Sequence, residues 1–227
     1  MGKRARSVVK QASMVTTLLL LLEMPAVAQS SRIDPQHSTM TVKVSKSGLF
    51  SALGHNHEIR APIASGSVIT AGAPSVELMV DARGMQVLDP DLGADKRAEV
   101  QKTMHSAVVL DSERFPRIRF VSRTIEPAGE DRYRVIGELT LHGVTRPVMV
   151  RVEARGGRYT GSATVKQSDF GIKPVTVAGG TVQVKDAVEI VFEIATALPQ
   201  SPAAAALGVE RSAARARSAV VIATPSQ

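Results

Sequence analysis

Apolar and polar positions alternate with a period of two along most of the chain, most regularly in residues 137–152. There Leu139 and Leu141 fall on one side, with Glu138, Thr140 and His142 on the other. Past a turn, Val148, Val150 and Val152 alternate with Met149 and Arg151. Half-buried antiparallel strands carry this period. Gly143 suits a positive φ in the turn. Pro147 has no ladder donor, so it suits a strand start or an edge. The same alternation predicts strands at 39–45, 59–69 (interrupted at Pro62 and Gly66), 76–81, 118–123, 133–141, 148–154, 159–165 and 187–196. Turn residues separate them at 127–131 and 155–158. The pattern breaks at 91–104, where Leu92, Val100 and Met104 are spaced for one face of a short helix. About eight short strands with turn signals between them point to a β-sandwich or a barrel.

The two ends do not share this rhythm. Residues 1–28 read as a cleaved signal peptide: Lys3, Arg4, Arg6 and Lys10 precede an apolar run that includes Leu18 to Leu22, and Ala26-Val27-Ala28 follows. The run is shorter than the roughly 20 residues a bilayer-spanning helix needs. No other stretch spans a membrane. Residues 198–227, rich in Ala, Pro and Arg, read as a solvated, low-complexity tail. The domain expected between them is 29–197.

Composition narrows the chemistry. Cysteine is absent, which excludes disulfides, thiol catalysis and cysteine-based zinc sites. The formal charge of +7 draws on Lys3, Arg4, Arg6 and Lys10 in the leader and on Arg211, Arg215 and Arg217 in the tail. With 3% aromatic residues and no Trp, the core lacks the basic, stacking face of a nucleic-acid binder.

Four segments, in order, carry a resemblance. They are Ile33-Asp34-Pro35-Gln36-His37-Ser38, Phe115-Pro116-Arg117-Ile118-Arg119-Phe120, the 137–148 strand pair, and Ser168-Asp169-Phe170-Gly171-Ile172. Together they resemble the motifs of the YceI-like family. The resemblance implies an all-β fold: an extended antiparallel eight-stranded lipocalin-like β-barrel, with one short helix. It further implies export to the bacterial periplasm or beyond, and a non-catalytic role in holding an isoprenoid or other amphipathic lipid inside the barrel. Alternation and the matched motifs nominate Val42, Val44, Phe120, Leu139, Leu141, Ala163, Val165, Phe170, Ile190 and Phe192 as cavity lining. Gly137, Gly161 and Ala163 are small residues on these faces. They either keep the interior open or relieve strain where the barrel bends.

The segment Gly54-His55-Asn56-His57-Glu58 departs from the resemblance. In an extended backbone His55 and His57 share a face. This supports an alternative, a periplasmic protein holding a divalent metal or haem, with His37 or His142 as a third ligand. The bland reading is a polar loop at the barrel mouth. His142 is expected to hydrogen-bond the corner, Asp169 to cap a turn, and Asp34 with His37 to form a charge-assisted pair. Ser38 beside His37 makes no nucleophilic relay, because neighbours on a strand point apart. A third reading is a packed barrel that binds partners through its tail. A homodimer stays open.

Overall fold

The structure is a computed structural model that describes residues 30–47, 56–177 and 182–197. The signal segment and the tail expected from the sequence lie outside these residues, as does His55. Thirteen strands, one α-helix and one 3-10 turn make up the described chain.

Eight antiparallel strand positions close into a barrel. In chain order they are β1 (Ser30–Val44), the broken strand β3 (His57–Arg60) with β4 (Ile63–Ile69), and β5 (Ser75–Asp81). Then follow β7 (Arg117–Gly129), β8 (Arg132–Leu141), β9 (Val144–Arg155), β10 (Arg158–Lys166) and β13 (Ala187–Thr196). Each pairs with the next in space, and β13 returns to pair with β1, which leaves no open seam. Closure satisfies the ladder groups that an edge strand would leave bare. The short strands are β2 (Lys46–Ser47), β6 (Gln86–Val87), β11 (Thr176–Val177) and β12 (Val182–Val184). Strand β6 extends the sheet beside β3, while β2, β11 and β12 form a small sheet of their own.

The first strand is longer than its alternation predicts. It begins at Ser30 and is bulged between Asp34 and Thr39, which hides the period there. Inside the bulge Asp34 takes a hydrogen bond from the Gln36 amide at 2.9 Å and from His37 Nδ1 at 2.7 Å. These hold its carboxyl below the usual carboxylate range, the His37 bond most of all. Ser38 Oγ donates to the Asp34 carbonyl at 2.6 Å and accepts the Ala195 amide at 3.0 Å. Both side chains therefore serve the bulge, and no proton relay links them.

The second predicted strand does break at Pro62, but Gly66 stays inside β4. A Cβ there would lie 2.5 Å from Ile33 Cδ1 and 2.6 Å from the Glu77 carbonyl, so Gly66 admits a close approach. The turn predicted at 127–131 is tighter than expected. Strand β7 runs to Gly129 through a bulge, and Asp131 takes φ 54° at the reversal.

Strand β9 starts at Val144, four residues before the expected Val148. His142 and Gly143 take φ 51° and 76°, the two left-handed positions of a two-residue hairpin. Pro147 then lies within the strand. Counting from the Leu141–Val144 closing pair, Pro147 is opposite Glu138 at a position without ladder hydrogen bonds. Its missing donor faces away from β8, and β10 pairs only with Val150 to Arg155. Proline is tolerated because that stretch of β9 has one neighbour.

The helix α1 (Ala94–His105) sits across one end of the barrel. Met104 is its one buried residue, so apolar packing alone is a weak anchor. Gln101 compensates by imitating a neighbouring strand. Its Nε2 donates to the Met85 carbonyl, and its Oε1 accepts the Val87 amide, both at 2.7 Å. At the opposite end the reversals are short, at 70–74, 130–131 and 156–157.

Candidate ligand cavity

The inward faces of the barrel enclose a cavity of about 480 Å³. This is within the range of small-molecule sites, roughly 300–1,000 Å³. Every strand of the barrel contributes. Strand β9 supplies Val148, Val150, Val152 and Ala154, whose side chains stay half-buried because the lumen beside them is not filled. The helix end is shut by Met85, Met104, Leu110, Ile172 and Val188, all buried. The hairpin end is lined in part by exposed Thr70, Pro74 and Pro127, so the cavity meets solvent there.

Among the described lining residues none is charged, and Thr70, Tyr133, Tyr159 and Gln167 are the polar ones. Gln167 is already engaged, its Nε2 donating to the Lys185 carbonyl at 2.9 Å. Burial, with a smaller contribution from Tyr133, pushes the Tyr159 phenol above its ordinary value of 10.0. The fold therefore favours the protonated phenol. This contribution to stability is complete below pH 10 and is lost as the pH climbs through the raised value.

Nine of the ten nominated residues line this cavity: Val42, Val44, Phe120, Leu139, Leu141, Ala163, Val165, Ile190 and Phe192. Phe170 does not. It follows the strand in a 3-10 turn, Gln167–Phe170, where alternation no longer applies. With 1% of its surface exposed, it packs beside the cavity wall in a cluster with Leu139, Val165, Ile172 and Val188. Strand alternation alone does not reach Met85, Met104 and Leu110, which come from the helix and loops. Tyr133 and Tyr159 were readable, since both fall on the inward parity of their strands.

The small residues resolve between their two readings. A Cβ on Gly137 would stand 2.4 Å from the Phe120 ring, and one on Gly161 would stand 2.6 Å from the Phe192 ring. Each glycine leaves room, and a phenylalanine ring takes it. Such covering of strand glycines by an aromatic neighbour compensates for the missing side chain.

The histidines are held separately. His142 Nδ1 donates to the Phe170 carbonyl at 3.2 Å, and its ring meets Phe115 edge-on at 4.9 Å, so it ties the β8–β9 corner to the 3-10 turn. Asp169 joins that corner through its backbone, whose carbonyl accepts Arg146 Nε at 3.2 Å. His57 Nδ1 donates to the buried Asp89 carboxylate at 2.6 Å, and the other Asp89 oxygen accepts the Glu58 amide at 2.8 Å. This leaves Nε2 to meet any further ligand of His57. Among the described residues, no three His, Asp or Glu side chains are gathered to hold a metal ion. Asp89→Ala would strand the ring and the amide together. It is expected to cost roughly 1.5–3 kcal/mol. Urea unfolding reads this, and an unchanged midpoint would refute the role given to Asp89.

Residues 32–196 match the model of the YceI-like domain. The chain belongs to the YceI-like family. A UPF0312 protein of Shewanella baltica is 30% identical over 166 residues, covering 68% of this chain and 82% of that protein. A UPF0312 protein of Pseudomonas syringae is 35% identical over 106 residues, covering 42% of this chain. That match spans about half of the Pseudomonas protein, 53% of its length. The crystal structure of Burkholderia cenocepacia BcnA superposes with a TM-score of 0.51 at 22% identity, covering 73% of this chain and 99% of BcnA. At that identity the likeness concerns the fold of the YceI-like domain. Among the described residues, no helix is long and apolar enough to cross a membrane.

Proposed function

We propose that this YceI-like protein is an exported, non-catalytic carrier that holds an isoprenoid or similar amphipathic lipid in its barrel. The observation that carries the reading is a cavity running the length of the barrel without one charged residue among its described lining. Val42, Val44, Phe120, Leu139, Leu141, Ala163, Val165, Ile190 and Phe192 are its proposed contacts, with Phe170 supporting the wall from behind. Export rests on the leader in residues 1–28.

Magnitudes set the length of the ligand. Burial is worth on the order of 0.8 kcal/mol per CH₂. A chain of about twenty carbons gains roughly 16 kcal/mol at that rate. Association costs about 4–15 kcal/mol. A single five-carbon unit, at about 4 kcal/mol, reaches only the lower end of that cost. Burial therefore favours a chain of several isoprene units over a single one.

The test is to purify the protein from a bacterial periplasm and release its cargo for mass spectrometry. An isoprenoid or related lipid is expected, and the delipidated protein should rebind a C20 prenyl chain. Protein that carries no lipid and binds none would refute the carrier reading.

A further inference from the structure

We propose that Tyr133 and Tyr159 form a head-group site at the hairpin end of the cavity, reading a neutral oxygen on the ligand and disfavouring a phosphorylated end. This inference rests on the reading of the barrel as an isoprenoid carrier.

The register places the pair. Tyr133 lies opposite Val152 on one side of β9, and Tyr159 lies opposite Ala154 on the other. Val152 and Ala154 line the cavity, so both phenols project inward over the same stretch of wall. Among the described residues, no group hydrogen-bonds either phenol hydroxyl. Each therefore keeps a donor for a ligand. The far end of the cavity is closed by Met85, Met104, Leu110 and Ile172, with Gln167 already engaged to the Lys185 carbonyl, so it suits an apolar tail. A linear amphiphile then enters tail first and leaves its head between the tyrosines.

The charges at this end set the class of head. Arg132, Arg155 and Arg158 are near the reversals but alternate with the inward residues and are exposed. Arg155 is engaged with Asp131 and Glu153, and Arg158 with Glu193. Among the described residues, no cation faces the phenols from inside the cavity. A diphosphate seated there would lose water without gaining a countercharge, which is costly. A hydroxyl or carbonyl oxygen needs only the phenol donors. The Tyr159 phenol, raised by burial above its ordinary value of 10.0, is protonated at neutral pH, as a donor must be.

The chain contains two tyrosines and no Trp, so its intrinsic fluorescence arises from this site alone. Delipidated protein is titrated with geranylgeraniol, geranylgeranyl diphosphate and a C20 hydrocarbon, by tyrosine fluorescence and by calorimetry. The alcohol is expected to bind at least about ten-fold more tightly than the diphosphate, on the unpaired-charge argument. The double variant Tyr133→Phe/Tyr159→Phe should weaken the alcohol roughly 5- to 30-fold, the worth of one or two hydrogen bonds. The same variant should bind the hydrocarbon as the parent does, which also certifies its fold. A diphosphate that binds as well as the alcohol overturns the proposal, and so does a double variant with undiminished affinity for the alcohol. If the hydrocarbon binds in either case, the carrier reading stands. If none of the three ligands binds the parent, the carrier reading fails and takes the head-group site with it.

Discussion

Val150→Trp is expected to weaken binding of a C20 prenyl chain by at least about ten-fold while leaving the barrel folded. Val150 is inward at mid-height of β9, opposite Val135 on one side and Ala163 on the other. It is half-buried only because the lumen beside it is unfilled. An indole there has the small Ala163 as a neighbour and occupies the volume a ligand chain would take. Extra bulk in a filled core costs about 1–3 kcal/mol. In an open cavity the same bulk displaces ligand instead. The indole is also the chain's sole Trp, so its emission reports whether the lumen is dry. Calorimetry on the delipidated variant decides the matter. Unchanged affinity, with the strand signal in circular dichroism intact, would place the ligand outside the barrel.

Gly161→Val is expected to destabilise the protein by about 1–3 kcal/mol through overpacking. For a chain of this size each kcal/mol lowers the thermal midpoint by about 2–4 °C. A Cβ at this position would lie 2.2 Å from the Arg151 carbonyl and 2.6 Å from Phe192 Cζ. The ring can yield, but the carbonyl belongs to the paired strand β9 and cannot move without disturbing the ladder. The combined variant Gly161→Val/Phe192→Leu separates the two contacts. It should recover only part of the loss, because the carbonyl contact persists. Full recovery would mean that the ring alone set the demand for glycine. A Gly161→Val variant as stable as the parent would mean that the strand shifts freely.

Much of the barrel was legible because the inward parity of a strand is a local property. Met40, Val42 and Val44, or Val188, Ile190 and Phe192, announce their face within a few residues. Two of the family motifs, at 115–120 and 137–148, run into strands of the same kind, and the 142–143 turn declares itself through Gly143. The bulge at Asp34–Thr39 was not legible, because it breaks the period and is held by Ala195 from the last strand of the barrel. Its matched motif points Phe170 to the lining, yet the 3-10 turn carries it off the strand and behind the wall. The pairing of His57 with Asp89 joins residues far apart in sequence, and no spacing rule anticipates it.

The sequence by itself determined the central stretches of the eight barrel strands, the inward face of those stretches, the absence of cysteine and the family. All of these follow from period, composition and short motifs. Only the tertiary structure decided that β13 closes onto β1, that phenylalanine rings occupy the room left by Gly137 and Gly161, and that two tyrosines from different strands flank the same stretch of β9. The reason is physical. Side-chain direction is set within a strand by its own backbone, whereas closure, cavity volume and cross-strand neighbours depend on register between segments up to the full domain apart.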